Sequence, residues 1–196
     1  MNTEISAKGT NSIDQIFHDN NWDQQIGLIS IDIDSFDYHV WKNLQFVNPQ
    51  IVVIEFNNLI PSYIDYHDTE DEVFLRCSAK SLEKLGEEKG YKLICCTVTN
   101  CIFIKNDLFD ESKFPDAPVE CLFDYKGQMK NGSIGRPIVK SQMVSCFPVF
   151  AYPPSRLDRL FFRAKAYLMA IFTNNEKYRK PSKQTKKNLK EANLYV

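Results

Sequence analysis

One stretch constrains the fold more than any other: an apolar run that fills with acids as it ends and then turns straight into a helix. Residues 27–44 read GLISIDIDSFDYHVWKNL. Leu28 to Ile33 has the pattern of a buried strand, and Phe36 to Trp41 that of a short aromatic helix. Three carboxylates, Asp32, Asp34 and Asp37, fall at the junction. Asn48-Pro49 then marks a turn. Gln50 to Asn57, QIVVIEFN, is a second β-branched run that ends in the polar groups Glu55 and Asn57. Strand, helix and strand at this spacing make a βαβ unit, whose strands run parallel and whose polar ends therefore share one edge of a sheet. Such carboxyl edges are where open α/β sheets build their sites.

The flanking residues extend the alternation. Asn11-Ser12 caps a helix with Ile13, Ile16 and Phe17 at helical spacing, running to about Asn20, and Asn21 to Gln25 links it to the first strand. Asn58 to Val73 reads as a polar and aromatic loop at a strand carboxyl end. Ser78 to Lys89 is amphipathic through Leu82 and Leu85 and is closed by Gly90. Tyr91 to Val98 and Cys101 to Lys105 are strands separated only by Thr99-Asn100, a link so short that the pair must be an antiparallel hairpin.

Taken in order, SIDIDSFDYHVWKNL, IVVIEFNN, SLEKLGEEKGYKL and CIFIKNDL resemble an FkbM-like group of class I S-adenosylmethionine-dependent methyltransferase-like proteins. The resemblance covers about residues 11–108 and the second half of that fold, whose sheet ends in one reversed strand. It implies an α/β fold with a partial Rossmann-like sheet, parallel strands followed by a terminal antiparallel hairpin. It also implies S-adenosylmethionine as cofactor, and a small-molecule or glycan acceptor such as a sugar or surface-polymer precursor. The group has Gly where this chain has Ser35, so the turn after the first strand is expected to be less tight. Nothing in the sequence corresponds to the glycine-rich loop of the first half. Gly132 to Gly135 lies in a turn-rich stretch beyond the hairpin. A complete cofactor site is accordingly expected only with a further segment or partner chain, and no cofactor-binding residues are assigned.

The acidic edge has two readings that the sequence leaves open. As a site, Asp34, Asp37, Glu55 and Asn57 are the candidate catalytic residues, orienting an acceptor hydroxyl or acting as general base; with Asp32 they can also hold a divalent cation. As structure, Asp34 or Ser35 caps the aromatic helix and Asp37 complements its dipole. Strand alternation would put Asp32 and Asp34 on one side and likewise Glu55 and Asn57. Trp41 and His39 read as packing residues, and His67, in the acidic loop Asp65 to Asp71, as a solvated loop histidine or a general base.

Three segments follow: 1–108, a methyltransferase-like half-domain; 109–154, a loop-rich extension with short apolar runs at Gln142–Phe147 and Val149–Tyr152; and 155–196, a terminal amphipathic helix with a basic tail. Leu157, Leu160, Phe161, Ala164, Leu168 and Ile171 recur at helical spacing between Ser155 and Phe172, with Arg156, Arg159, Arg163 and Lys165 beside the stripe. That helix suits packing on its own domain, contact with a partner chain or second copy, or a peripheral seat on an anionic membrane. The corresponding alternative to catalysis is a non-catalytic remnant or interaction module. A net charge of −1 and the lack of aromatic interleaving in the lysine tail argue against a nucleic-acid binder. The six cysteines form no metal-ligand spacing and are expected as reduced, mostly buried thiols of a cytosolic or membrane-peripheral protein.

Overall fold

The computed structural model describes residues 5–124, together with Lys183, Gln184, Lys187 and Glu191. The expected apolar runs at 142–152, the helix at 155–172, nearly all of the tail and Gly132 to Gly135 lie outside the described residues.

The chain is α/β. Its elements are α1 (Ile13–Asp19), β1 (Gln25–Ile31), α2 (Asp37–Asn43), β2 (Asn48–Glu55), α3 (Ala79–Glu88), β3 (Tyr91–Cys96), β4 (Asn100–Lys105), a 3-10 turn (Asn106–Leu108) and α4 (Val119–Leu122). The four strands form one mixed sheet in the order β1-β2-β4-β3. β1 and β2 pair in parallel, as the βαβ spacing requires, from Gln25↔Asn48 to Ile31↔Ile54. β4 runs antiparallel to both β2 and β3, so the hairpin folds its second strand into the middle of the sheet.

Local chemistry sets the element ends. Ser12 Oγ accepts from Gln15 N–H at 3.3 Å, and Ser78 Oγ from Ser81 N–H at 3.1 Å, so both helices start on a serine cap. Gly90 follows α3 at φ +81°, a left-handed closure that suits a residue without Cβ. The hairpin link is Thr97–Thr99 rather than Thr99-Asn100. Thr97 Oγ1 accepts from the amides of Thr99 and Asn100 at 3.3 and 2.9 Å, and this fixes the turn one step earlier.

Strand alternation buries Val52, Ile54, Cys101 and Phe103 on one face, where α2, α3 and α4 pack. Trp41 of α2 is fully buried against Tyr91 and Phe103, with ring centroids at 5.8 and 4.7 Å, as its packing reading expects. Gly86 of α3 meets the same pair: a Cβ there would stand 2.7 Å from the Phe103 ring and 3.2 Å from Trp41. The two helices and the sheet thus converge on a point that only hydrogen can occupy. Among the described residues no helix is long and apolar enough to cross a membrane.

β1 ends at Ile31 rather than Ile33. Asp34 takes φ +57°, a left-handed conformation that an aspartate tolerates better than most side chains. The left-handed residue of this turn is thus Asp34, one position before the Ser35 that stands where the resembled group has Gly. Asp32 and Asp34 consequently lie beyond the pleat, and strand alternation does not govern where they point.

Candidate functional site

Five carboxylates were in question or lie close by, and the fold divides them. Asp37 is buried, and its two oxygens accept from Ile33 N–H at 2.9 Å and Ser35 N–H at 3.1 Å. Neither Asp34 nor Ser35 caps α2. Its N-cap position is Phe36, which makes no side-chain cap bond, and Asp37 instead ties the helix back to the turn before it. Asn57 is buried too. Its amide donates to Leu75 O at 3.1 Å and its oxygen accepts from Leu59 N–H at 3.0 Å, so it shapes the loop after β2 rather than standing beside Glu55.

Asp32, Asp34 and Glu55 do come together. Each offers an oxygen, and these atoms lie within 4.8 Å of one another. Arg76 reaches into the group. Its Nη1 donates to Asp34 Oδ1 at 3.1 Å and to Glu55 Oε2. The Asp34 side chain is 88% exposed, whereas Glu55 is 13% and Arg76 23% exposed. Burial pushes the Glu55 carboxyl above its ordinary range, with the Arg76 charge pulling the other way and Asp32 and Asp34 adding to the rise. The edge is therefore an open carboxylate and a half-sheltered one joined through a single guanidinium. Three such oxygens are the kind of donors a divalent cation takes, but here the guanidinium already holds two of the three carboxylates, and a cation would have to displace it.

Arg76 is positioned by Asp68, a buried residue that sequence reasoning passed over. Asp68 Oδ2 accepts the backbone N–H groups of Phe74, Leu75 and Arg76 at 2.6, 2.8 and 2.5 Å, while Tyr66 Oη donates to Oδ1 at 2.7 Å. Burial raises its carboxyl despite these four donors. Held by this knot, Arg76 takes φ +64° and turns its side chain to the sheet edge. A sequence signal did exist. Arg76 is the first arginine in the chain, and none follows until Arg136.

The two histidines meet at the same knot. His39 Nε2 and His67 Nδ1 lie 2.8 and 2.9 Å from the Asp68 carbonyl oxygen, so each donates there and its proton is fixed on that nitrogen. His67 is stacked on Tyr38, with ring centroids 4.0 Å apart, rather than free in solvent. His39 is buried, which lowers its pKa, and its Nδ1 faces Glu70 at 3.8 Å. The five described cysteines are free thiols. Cys77, nearest the edge, is fully buried and pushed far from its thiolate form, which suits a packing residue and not a nucleophile.

The class these features define is an α/β protein with a mixed sheet and a carboxylate–arginine edge. No family model, curated protein or solved structure matches the chain. Among the described residues the glycines are Gly9, Gly27, Gly86 and Gly90, and none opens a loop after a strand.

Proposed function

We propose that this chain is the acceptor side of a methyltransferase-like protein, acting on hydroxyl-bearing acceptors of the sugar or surface-polymer-precursor type. Its methyl donor would be S-adenosylmethionine, held with the help of a segment or partner beyond residues 5–124. The observation that carries this reading is Glu55, a half-sheltered carboxyl with a raised pKa, beside the open Asp34 at the carboxyl edge of two parallel strands. The reversal of β4, the last strand, is the sheet feature the sequence resemblance implies. In this reading Asp34 accepts a hydrogen bond from the acceptor hydroxyl, Glu55 takes the hydroxyl proton, and Arg76 keeps the two carboxylates together.

A second reading has its own support. Arg76 already pairs with two of the three acids, as it would in a non-catalytic module whose edge is only structural. Titration of the full chain separates the two. A panel of hexoses and S-adenosylmethionine, each to millimolar concentration, is followed by amide chemical shifts and by heat. The catalytic reading expects shifts centred on Ile33 to Ser35, Glu55 and Arg76, weakened at least tenfold in Glu55→Gln. No shift with any acceptor and no heat with S-adenosylmethionine leaves the module.

A further inference from the structure

The register that buries Val52, Ile54, Cys101 and Phe103 on one face of the sheet puts other apolar residues on the second face. Leu28 pairs with Ile51, Ser30 with Val53, and Val53 with Ile102, across three adjacent strands. Leu28 is 55% exposed, and Ile51, Val53 and Ile102 are only partly buried. The described helices that pack on the sheet use the first face. Toward β3 the second face is better covered: Ile104, which pairs with Ile51 in the same row as Leu28, is buried, and Lys92 beside it pairs with Asp116 and lies over Phe109. Toward β1, at Leu28, Ile51, Val53 and Ile102, the face is exposed or only partly buried. Sheets built on a βαβ unit carry layers on both faces, because their strands are apolar on both.

We propose that the β1 side of this face seats residues 155–172 of the same chain. That segment bears the one long apolar stripe outside the described residues, Leu157, Leu160, Phe161, Ala164, Leu168 and Ile171. Thirty residues separate Asp124 from Ser155, a tether that reaches about 100 Å when extended. Tethering at that length gives the segment an effective concentration that an unlinked partner must exceed. Charge points the same way. Arg156, Arg159, Arg163 and Lys165 flank the stripe, and the face ends at the carboxylates of Glu55, Asp34 and Asp32. A second copy presenting the same face would bring those carboxylates without the basic counterpart.

The test uses the full chain with a benzophenone amino acid at position 28, irradiated as an equal mixture of 14N- and 15N-labelled protein. The expected product is an unmixed-isotope cross-link from position 28 to a peptide within 155–172. Mixed-isotope products would assign the face to a second copy, and cross-links to other segments alone would also overturn the proposal. As an independent readout, Leu160→Asp with Leu168→Asp in the full chain is expected to raise binding of an apolar fluorescent dye several-fold, with Trp41 emission unchanged. Unaltered dye binding overturns it. So does flotation of most of the wild-type chain with phosphatidylserine vesicles, which would place the stripe on lipid.

Discussion

Asp68 and Asp37 on one side, and Asp34 and Glu55 on the other, are the same chemistry put to opposite uses within one end of the molecule. The first pair is buried and saturated by backbone amides. The second faces outward or half outward and shares one arginine. The difference lies in what surrounds each group and not in residue type. A carboxylate enclosed by amide donors is structural because removing it leaves several buried N–H groups without partners. A carboxylate whose partner is a single shared guanidinium keeps an oxygen for something else.

The sharpest way to break the contrast is Asp68→Ala. It orphans three backbone amides and the Tyr66 hydroxyl together, and we expect a loss of about 3–4 kcal/mol in urea unfolding followed by Trp41 fluorescence. Asp37→Ala releases two amides and should cost about 2 kcal/mol in the same assay. Asp34→Asn keeps a side chain that tolerates the left-handed turn and is expected to move stability by no more than about 0.5 kcal/mol. If Asp34→Asn costs as much as Asp37→Ala, the division between the two groups is wrong.

Acidity offers a subtler probe of the buried group. Burial lowers the His39 pKa, so the unfolded chain takes up the proton first as pH falls through about 6.5. Stability due to this residue is present above that range and lost below it, with a slope of at most about 1.4 kcal/mol per pH unit. Asp68 and Glu55, with raised pKa values, act in the opposite sense and add stability on further acidification. Melting temperatures of wild type and His39→Gln from pH 7.5 to 5.5 should therefore diverge at the neutral end and converge on acidification. Parallel curves would remove His39 from the account.

Much of the fold could be read from periodicity. The parallel β1–β2 pair follows from two β-branched runs around a short aromatic helix, and the β3–β4 hairpin follows from the brevity of its link. Strand ends were less legible, because Ile33 would continue the alternation perfectly well. It is the Asp37 carboxylate, four residues on, that bends its amide out of the pleat. The site was half legible. Asp34 and Glu55 stand where two apolar runs end, which any sequence shows. Asp68 sits among Asp65, Glu70, Asp71 and Glu72, and nothing local distinguishes it. Its role comes from three amides six to eight residues downstream, a geometry that exists only once the loop has closed. Arg76 depends on that closure in turn.

Arg76 then has a consequence beyond holding two acids. Its amide belongs to the buried knot and its guanidinium to the open edge, so one residue is fastened at both ends. Anything that draws the guanidinium away from Asp34 and Glu55 pulls on the peptide that Asp68 grips, and through it on the carbonyl where His39 and His67 meet. A ligand at the rim, as the proposed function requires, is therefore expected to shift the amides of Phe74, Leu75 and Arg76 together with those of the edge.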